Sequence, residues 1–239
     1  MIPTYPDDSI QSLVSPAPWW IPVTGQELAR GSLVSAIVPY PEQKPFRLVP
    51  VGRGQDARQH TQAEYRLEEF RVGETRQQTS ALPVAALPLR GSEEYLVRRG
   101  KRRPCLVLAS TDVRVDASLV RGKRRWQTAL TRLVVPYYSA NGTTSRAGWP
   151  TELVARIRRC EYPQYFWDKL PLPGSAEGSI LRFDHAFSIG HDLANIVQTG
   201  YQLHADALGI LEDWFAWYVT GTLAQPSTIG TARELLGLS

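Results

Sequence analysis

The run Gly100–Ser110 leaves its backbone little choice. Pro104 fixes its own φ, offers no amide hydrogen and pushes Arg103 into extended backbone. Leu106, Val107 and Leu108 follow as a short continuous apolar stretch, the pattern of a buried strand. A helix is excluded here. Arg103 is therefore predicted at the mouth of a rigid strand, with Lys101 and Arg102 beside it.

Other stretches read the same way. Residues 31–38 alternate well enough for a first strand that Pro39 and Pro41 end. Strands are expected near 95–98, over 126–137 around Leu133-Val134-Val135, and, with a bend, over 179–189. Residues 42–56 and 75–80 read as loop, and Pro83 and Pro88 forbid a helix over 82–89. Imperfect apolar spacing suggests a short amphipathic helix around 57–70. Both a strand and a helical turn fit 151–158, and Asn141-Gly142 marks a turn. The clearest helix comes late, with Ala205, Leu208, Leu211, Trp214, Phe215 and Tyr218 at helical spacing and Gly221 as its stop. Residues 1–24 form neither pattern and are expected as an extended arm pinned by Trp19 and Trp20. Short strands, long loops and a C-terminal helix predict a mainly β (α+β) chain, a small barrel with one covering helix.

Charge and cysteine usage narrow the function classes. The net charge is only +4, yet twelve of the Lys and Arg residues lie between Arg90 and Arg132 against four Asp and Glu. Such a field suits a polyanion, with phosphate the commonest candidate, or is simply a solvated basic face. Two cysteines, Cys105 and Cys160, with no Cys/His cluster argue against a disulfide scaffold and a structural zinc. No apolar run approaches the ~18 residues that span a bilayer. The expected setting is cytoplasmic and reducing, without a membrane, metal or cofactor.

Three pieces, in order, resemble the MazF/PemK-like family of growth-inhibiting toxins. Arg30-Gly31-Ser32-Leu33-Val34 is similar to the family's opening strand, with Ser32 where an acidic residue is usual. Arg90-Gly91-Ser92-Glu93, followed by Lys101 through Leu108, resembles its signature. The strand at 133–139, the segment 178–189 and the terminal helix follow as the family's remaining elements. The resemblance implies an SH3-like barrel over 25–225 with a C-terminal helix, two long insertions at about 41–89 and 145–178, and a tail over 226–239.

It also implies an endoribonuclease that cleaves single-stranded RNA through the 2′-hydroxyl, without metal. Arg103 matches the family's signature arginine, whose fork suits the charge that develops on phosphoryl oxygens. Glu93 is the matching carboxylate for a general base. The family's assisting hydroxyl falls on Tyr138, with Ser139 one step on; Ser139 either donates to the scissile phosphate or caps the following turn. Lys101, Arg102, Lys123, Arg124, Arg125 and Trp126 are expected to contact RNA, the last four pairing charge with an indole. Residues 162–167 either stack bases or pack against the barrel, the second being favoured, and His185, His191 and His204 lack the spacing of a metal site or triad. Homodimerisation and a neutralising antitoxin partner follow from the resemblance alone. Two other classes stay open: a nucleic-acid-binding module without catalysis, and an interaction protein that docks a partner through its insertions.

Overall fold

The computed structural model describes residues 4–14, 18–25, 28–53, 55–56, 63–73, 93–110, 115–123, 128–142, 147–174, 178–190 and 195–238. The chain divides into two compact units, one formed by residues 1–37 and 102–239, the other by residues 38–101.

In chain order the elements are α1 (Ile10–Leu13), β1 (Trp20–Pro22), β2 (Ser32–Pro39), β3 (Phe46–Arg53), β4 (Ala63–Glu69), β5 (Leu96–Val97), β6 (Gly100–Ser110), α2 (Ala117–Val120), β7 (Thr131–Ser139), α3 (Thr151–Arg158), β8 (Tyr165–Asp168), β9 (Ser179–Arg182), β10 (Phe187–Gly190), β11 (Ile196–Leu203), α4 (Ala205–Thr220) and α5 (Thr228–Leu235). A 3-10 turn, Phe183–His185, makes the bend between β9 and β10.

The first unit is built on a sheet in the order β1-β11-β2-β6-β7-β9-β8, with β10 beside β7. It is antiparallel and curls into half a barrel. Period-two alternation gives its far end two distinct faces. Tyr137, Leu181 and Phe166 stand in register across β7, β9 and β8 and point into the main core. There the Phe166 ring meets Trp214 of α4 edge-on, with centroids 5.0 Å apart, and stacks on Trp19 at 5.9 Å. The next register row, Tyr138, Ile180 and Trp167, faces the other way. Ile180 and Trp167 pack with Ile157 of α3 and Ala140 in a second, smaller core. α3 therefore covers part of the outer face.

The segment 151–158 is helical because Leu153, Val154 and Ile157 fall on one side of it, and Ile157 is buried against the sheet. α4 ends where expected, at Gly221 in the left-handed region (φ 73°).

A buried carboxylate joins the N-terminal segment to the sheet. Asp168, the last residue of β8, is fully buried. Its Oδ1 accepts from the Tyr5 hydroxyl (3.1 Å), and its Oδ2 accepts from the Tyr137 hydroxyl (3.1 Å) and the Trp20 indole N–H (3.2 Å). Burial pushes the Asp168 carboxyl up to about 7, although the three donors act the other way. Around it the Gln11 amide donates to the Trp167 carbonyl (2.8 Å), the Lys169 ammonium donates to the Thr4 carbonyl (2.7 Å), and Arg158 pairs with Asp8 (2.6 Å). The indole pinning expected of the arm holds, since Trp19 and Trp20 are both buried. The arm itself differs: it contains α1, and β1 pairs with β11.

In the second unit β4, β3 and β5 form a three-stranded antiparallel sheet. This corrects two expectations. The loop expected over 42–56 contains β3, and the helix expected around 57–70 gives way to β4 in its described part. Tyr65 and Leu67 alternate with Glu64, Arg66 and Glu68, which is the period of a strand, and Arg47 on β3 donates to Glu68 across the pair (3.0 Å). Residues 57–62, 75–80 and 82–89 lie outside the described residues. Residues 226–239, expected as a tail, include α5, whose Ile229 and Ala232 are buried in the main core. The expected strand over 126–137 begins at Thr131 among the described residues, and the one near 95–98 shortens to Leu96–Val97.

Gly178 enters β9 with φ 99°, and a Cβ there would lie 2.6 Å from the Trp167 indole nitrogen. Trp167 is packed in the second core with Ile157 and Ile180. Gly178→Ala is expected to cost about 2–3 kcal/mol, read as a lower urea midpoint. An unchanged midpoint would show that the indole is free to move.

Candidate functional site

Cys105 pairs with Pro136, Leu106 with Val135 and Val107 with Val134 across β6 and β7. The same register continued by two residues sets Arg103 opposite Tyr138, on the outer face. The side chains meet accordingly: the Arg103 guanidinium lies 4.1 Å from the Tyr138 ring centroid. Pro104 holds Arg103 extended as the sequence requires.

Tyr138 gathers further groups. Its hydroxyl is hydrogen-bonded to Nδ1 of His185 in the 3-10 turn, at 2.7 Å. When the imidazole is neutral at Nδ1 the phenol donates; when that nitrogen is protonated the imidazole donates. Arg182, at the end of β9, lies 5.6 Å from the Tyr138 centroid, 5.5 Å from that of Tyr165 and 5.9 Å from that of Trp149. Asp184 accepts from Nε of Arg182 (3.0 Å) and also from its Nη2. Burial works against the Arg182 charge, but Asp184 outweighs it and holds the guanidinium above its ordinary value. The outcome is a half-buried phenol with one guanidinium on its ring, a second nearby and an imidazole on its hydroxyl.

The other expected residues are distributed differently. Ser139 is exposed and its hydroxyl donates to the Asn141 carbonyl (3.0 Å), so it closes the turn after β7. Of the two roles open to it, the structural one is occupied. Arg102 is exposed and donates through Nε to the Ser35 hydroxyl (3.1 Å). Glu93 and Lys101 belong to the second unit. Lys123 is exposed just after the short α2, where its amide donates to the Val120 carbonyl (3.0 Å). Arg124, Arg125, Trp126 and His191 lie outside the described residues. In the stretch 162–167, Phe166 and Trp167 are buried in the two cores, which is the packing role favoured for them.

Sequence reasoning passed over His185 and Arg182. A search for metal or triad spacing finds neither, because the partner of His185 lies 47 residues away on another strand. The available signal was the alternation of β9, which places Arg182 on the face opposite Leu181.

Other chemistry is limited among the described residues. No group of three or more His, Cys, Asp or Glu is placed to hold a metal ion, and no helix is long and apolar enough to cross a membrane. Burial pushes both the Cys105 and Cys160 thiols up to about 12, which keeps them protonated and unreactive. What remains is an outer sheet face with two guanidiniums over aromatic rings and a phenol–imidazole pair. Such a face can grip phosphate, stack a base and accept a proton. Comparison with protein-family models, curated proteins and solved structures finds no match to this chain.

Proposed function

We propose that the face around Tyr138 binds single-stranded RNA and cleaves it without metal, as the MazF/PemK-like toxins do, on a diverged SH3-like barrel. The observation that carries this reading is the Arg103–Tyr138–His185 arrangement, with 4.1 Å between guanidinium and ring and 2.7 Å between phenol and imidazole. The order of the curled strands and the helix α4 after them supports the barrel. Growth inhibition, a neutralising partner and a homodimer belong to the same reading.

The 2′-oxygen attacks phosphorus and the bond from phosphorus to the 5′-oxygen breaks, leaving a 2′,3′-cyclic phosphate and a 5′-hydroxyl. Arg103 and Arg182 meet the negative charge on the phosphoryl oxygens. The 2′-hydroxyl proton passes to the Tyr138 oxygen while the phenol's own proton moves to Nδ1 of His185. The departing 5′-oxygen takes its proton from solvent. His185 thus takes the role first expected of Glu93, because imidazole changes charge near neutral pH.

One observation favours a second reading, in which the face binds nucleic acid without cutting it: the hydroxyl of Ser139, which follows Tyr138 on β7, is committed to the turn. One experiment separates the two. A single-stranded RNA and a DNA of the same sequence are incubated with the protein in EDTA at low salt. The reading predicts that both bind, more weakly as salt rises, and that only the RNA is cut. Binding of both without cleavage leaves the binding module, and no binding of either removes both readings.

A further inference from the structure

A cavity of about 180 Å³ opens between α3 and the outer face of the sheet, lined in part by Trp149, Trp167, Asn141, Thr151 and Arg158. It is smaller than the ~300 Å³ at which pockets for drug-sized ligands begin, so it suits one ring system. Its walls combine two indoles with an amide, a hydroxyl and a guanidinium. The Asn and Thr side chains each offer both a donor and an acceptor, and Arg offers donors only. That set matches the edge of a nucleobase, where donors and acceptors alternate beside a flat apolar face.

Two features mark the cavity as more than loose packing. The Nε of Arg158 is buried and has no hydrogen-bond partner among the described residues, while its Nη2 is tied to Asp8. A buried N–H without a partner is costly, and the guanidinium it belongs to lines the cavity. The walls are also set in place. Trp167 is buried and has Gly178 directly against its indole, and the Trp149 amide donates to the Ala140 carbonyl at the end of β7 (2.9 Å). A side chain at Gly148 would run into the Gly142 backbone, so these two backbones pass in direct contact.

Trp149 links this cavity to the site. Its ring lines the cavity and also lies 5.9 Å from the Arg182 guanidinium, which in turn reaches Tyr138. We propose that the cavity is a nucleobase pocket that takes one unpaired base of an RNA strand whose phosphate is held by Arg182 and Arg103. This rests on the RNA reading of the Tyr138 face and adds what that reading lacks, a place where base identity is sensed. Apart from Asn141, the lining residues fall within 145–178, the second of the two insertions that the family resemblance implies.

The full chain is titrated with a labelled single-stranded RNA and with the same RNA carrying one abasic position, moved along the strand. Nucleoside 5′-monophosphates are titrated in parallel, followed by tryptophan fluorescence. The expected result is that the abasic change at one register weakens binding by at least about tenfold. In Trp149→Ala that difference should disappear. The abasic arm alters only the ligand, so it decides the matter even if Trp149→Ala folds poorly. If RNA binds but no abasic position matters, the pocket is refuted and the RNA face stands. If monophosphates bind and RNA does not, the strand assignment is overturned for both sites and the cavity is a free-nucleotide pocket. If neither binds, both proposals fall.

Discussion

Between about pH 4 and pH 8 the protein is expected to lose stability relative to its Asp168→Asn variant, by about 4 kcal/mol at full extent. The cause is the carboxyl at the centre of the Tyr5, Trp20 and Tyr137 cluster, pushed up to about 7 by burial. Its folded value stands above its ordinary 3.8, so the folded chain keeps a proton that the unfolded chain releases. The stabilisation is complete below the unfolded value, declines as pH rises and is gone once pH passes the folded value. Other titrating groups are shared by the two proteins and cancel in the difference. Urea unfolding across this range checks the expectation, and parallel stability curves would contradict it. Asp168→Ala goes further, because it leaves the Tyr137 hydroxyl and the Trp20 indole N–H without their acceptor, while the Tyr5 hydroxyl keeps only the Lys169 carbonyl at 3.3 Å. Each such group costs about 1–3 kcal/mol, so this variant should be less stable than wild type at every pH.

Arg103→Ala is expected to lower RNA cleavage by about 10²- to 10³-fold, the cost of removing one preorganised donor from a developing oxyanion. Arg103→Lys keeps a charge but loses the planar fork and the stacking on Tyr138, so it should recover only part of the rate. Tyr138→Phe makes the complementary change. It preserves the ring under Arg103 and deletes the hydroxyl that meets His185. Proton transfer by a positioned group is worth about 10²- to 10⁴-fold, so cleavage should collapse while RNA affinity stays within about twofold of wild type. Loss of affinity and rate together in Tyr138→Phe would mean that the phenol positions the strand and does not move a proton.

Arg103 could be placed from sequence because its position depends on a local constraint, the proline that follows it. Tyr138 was found through the order of motifs. His185 and Arg182 were not: the alternation of β9 gives the face of Arg182, but the register between β7 and β9 and the 3-10 turn that bring the two to Tyr138 leave no trace in the sequence. Asp168 was invisible for a similar reason. Nothing local separates it from a surface aspartate, and only the convergence of Tyr5, Trp20 and Tyr137 from distant parts of the chain makes it a buried acid. β4 was missed because charged side chains crowd the stretch, so that its alternation passes for weak helical spacing, and β3 because Pro45, Pro50 and Gly52 give its stretch the look of a loop. The half-barrel, α4 and its glycine stop were legible because each rests on burial with a clear period.

The most direct test of the central claim is the chemistry of the ends. Wild-type protein incubated with single-stranded RNA in EDTA is predicted to give fragments that end in a 2′,3′-cyclic phosphate, and Arg103→Ala at the same concentration to give about a hundredth as much or less. Intact RNA with wild type, or the same fragments in the same yield with Arg103→Ala, would contradict it.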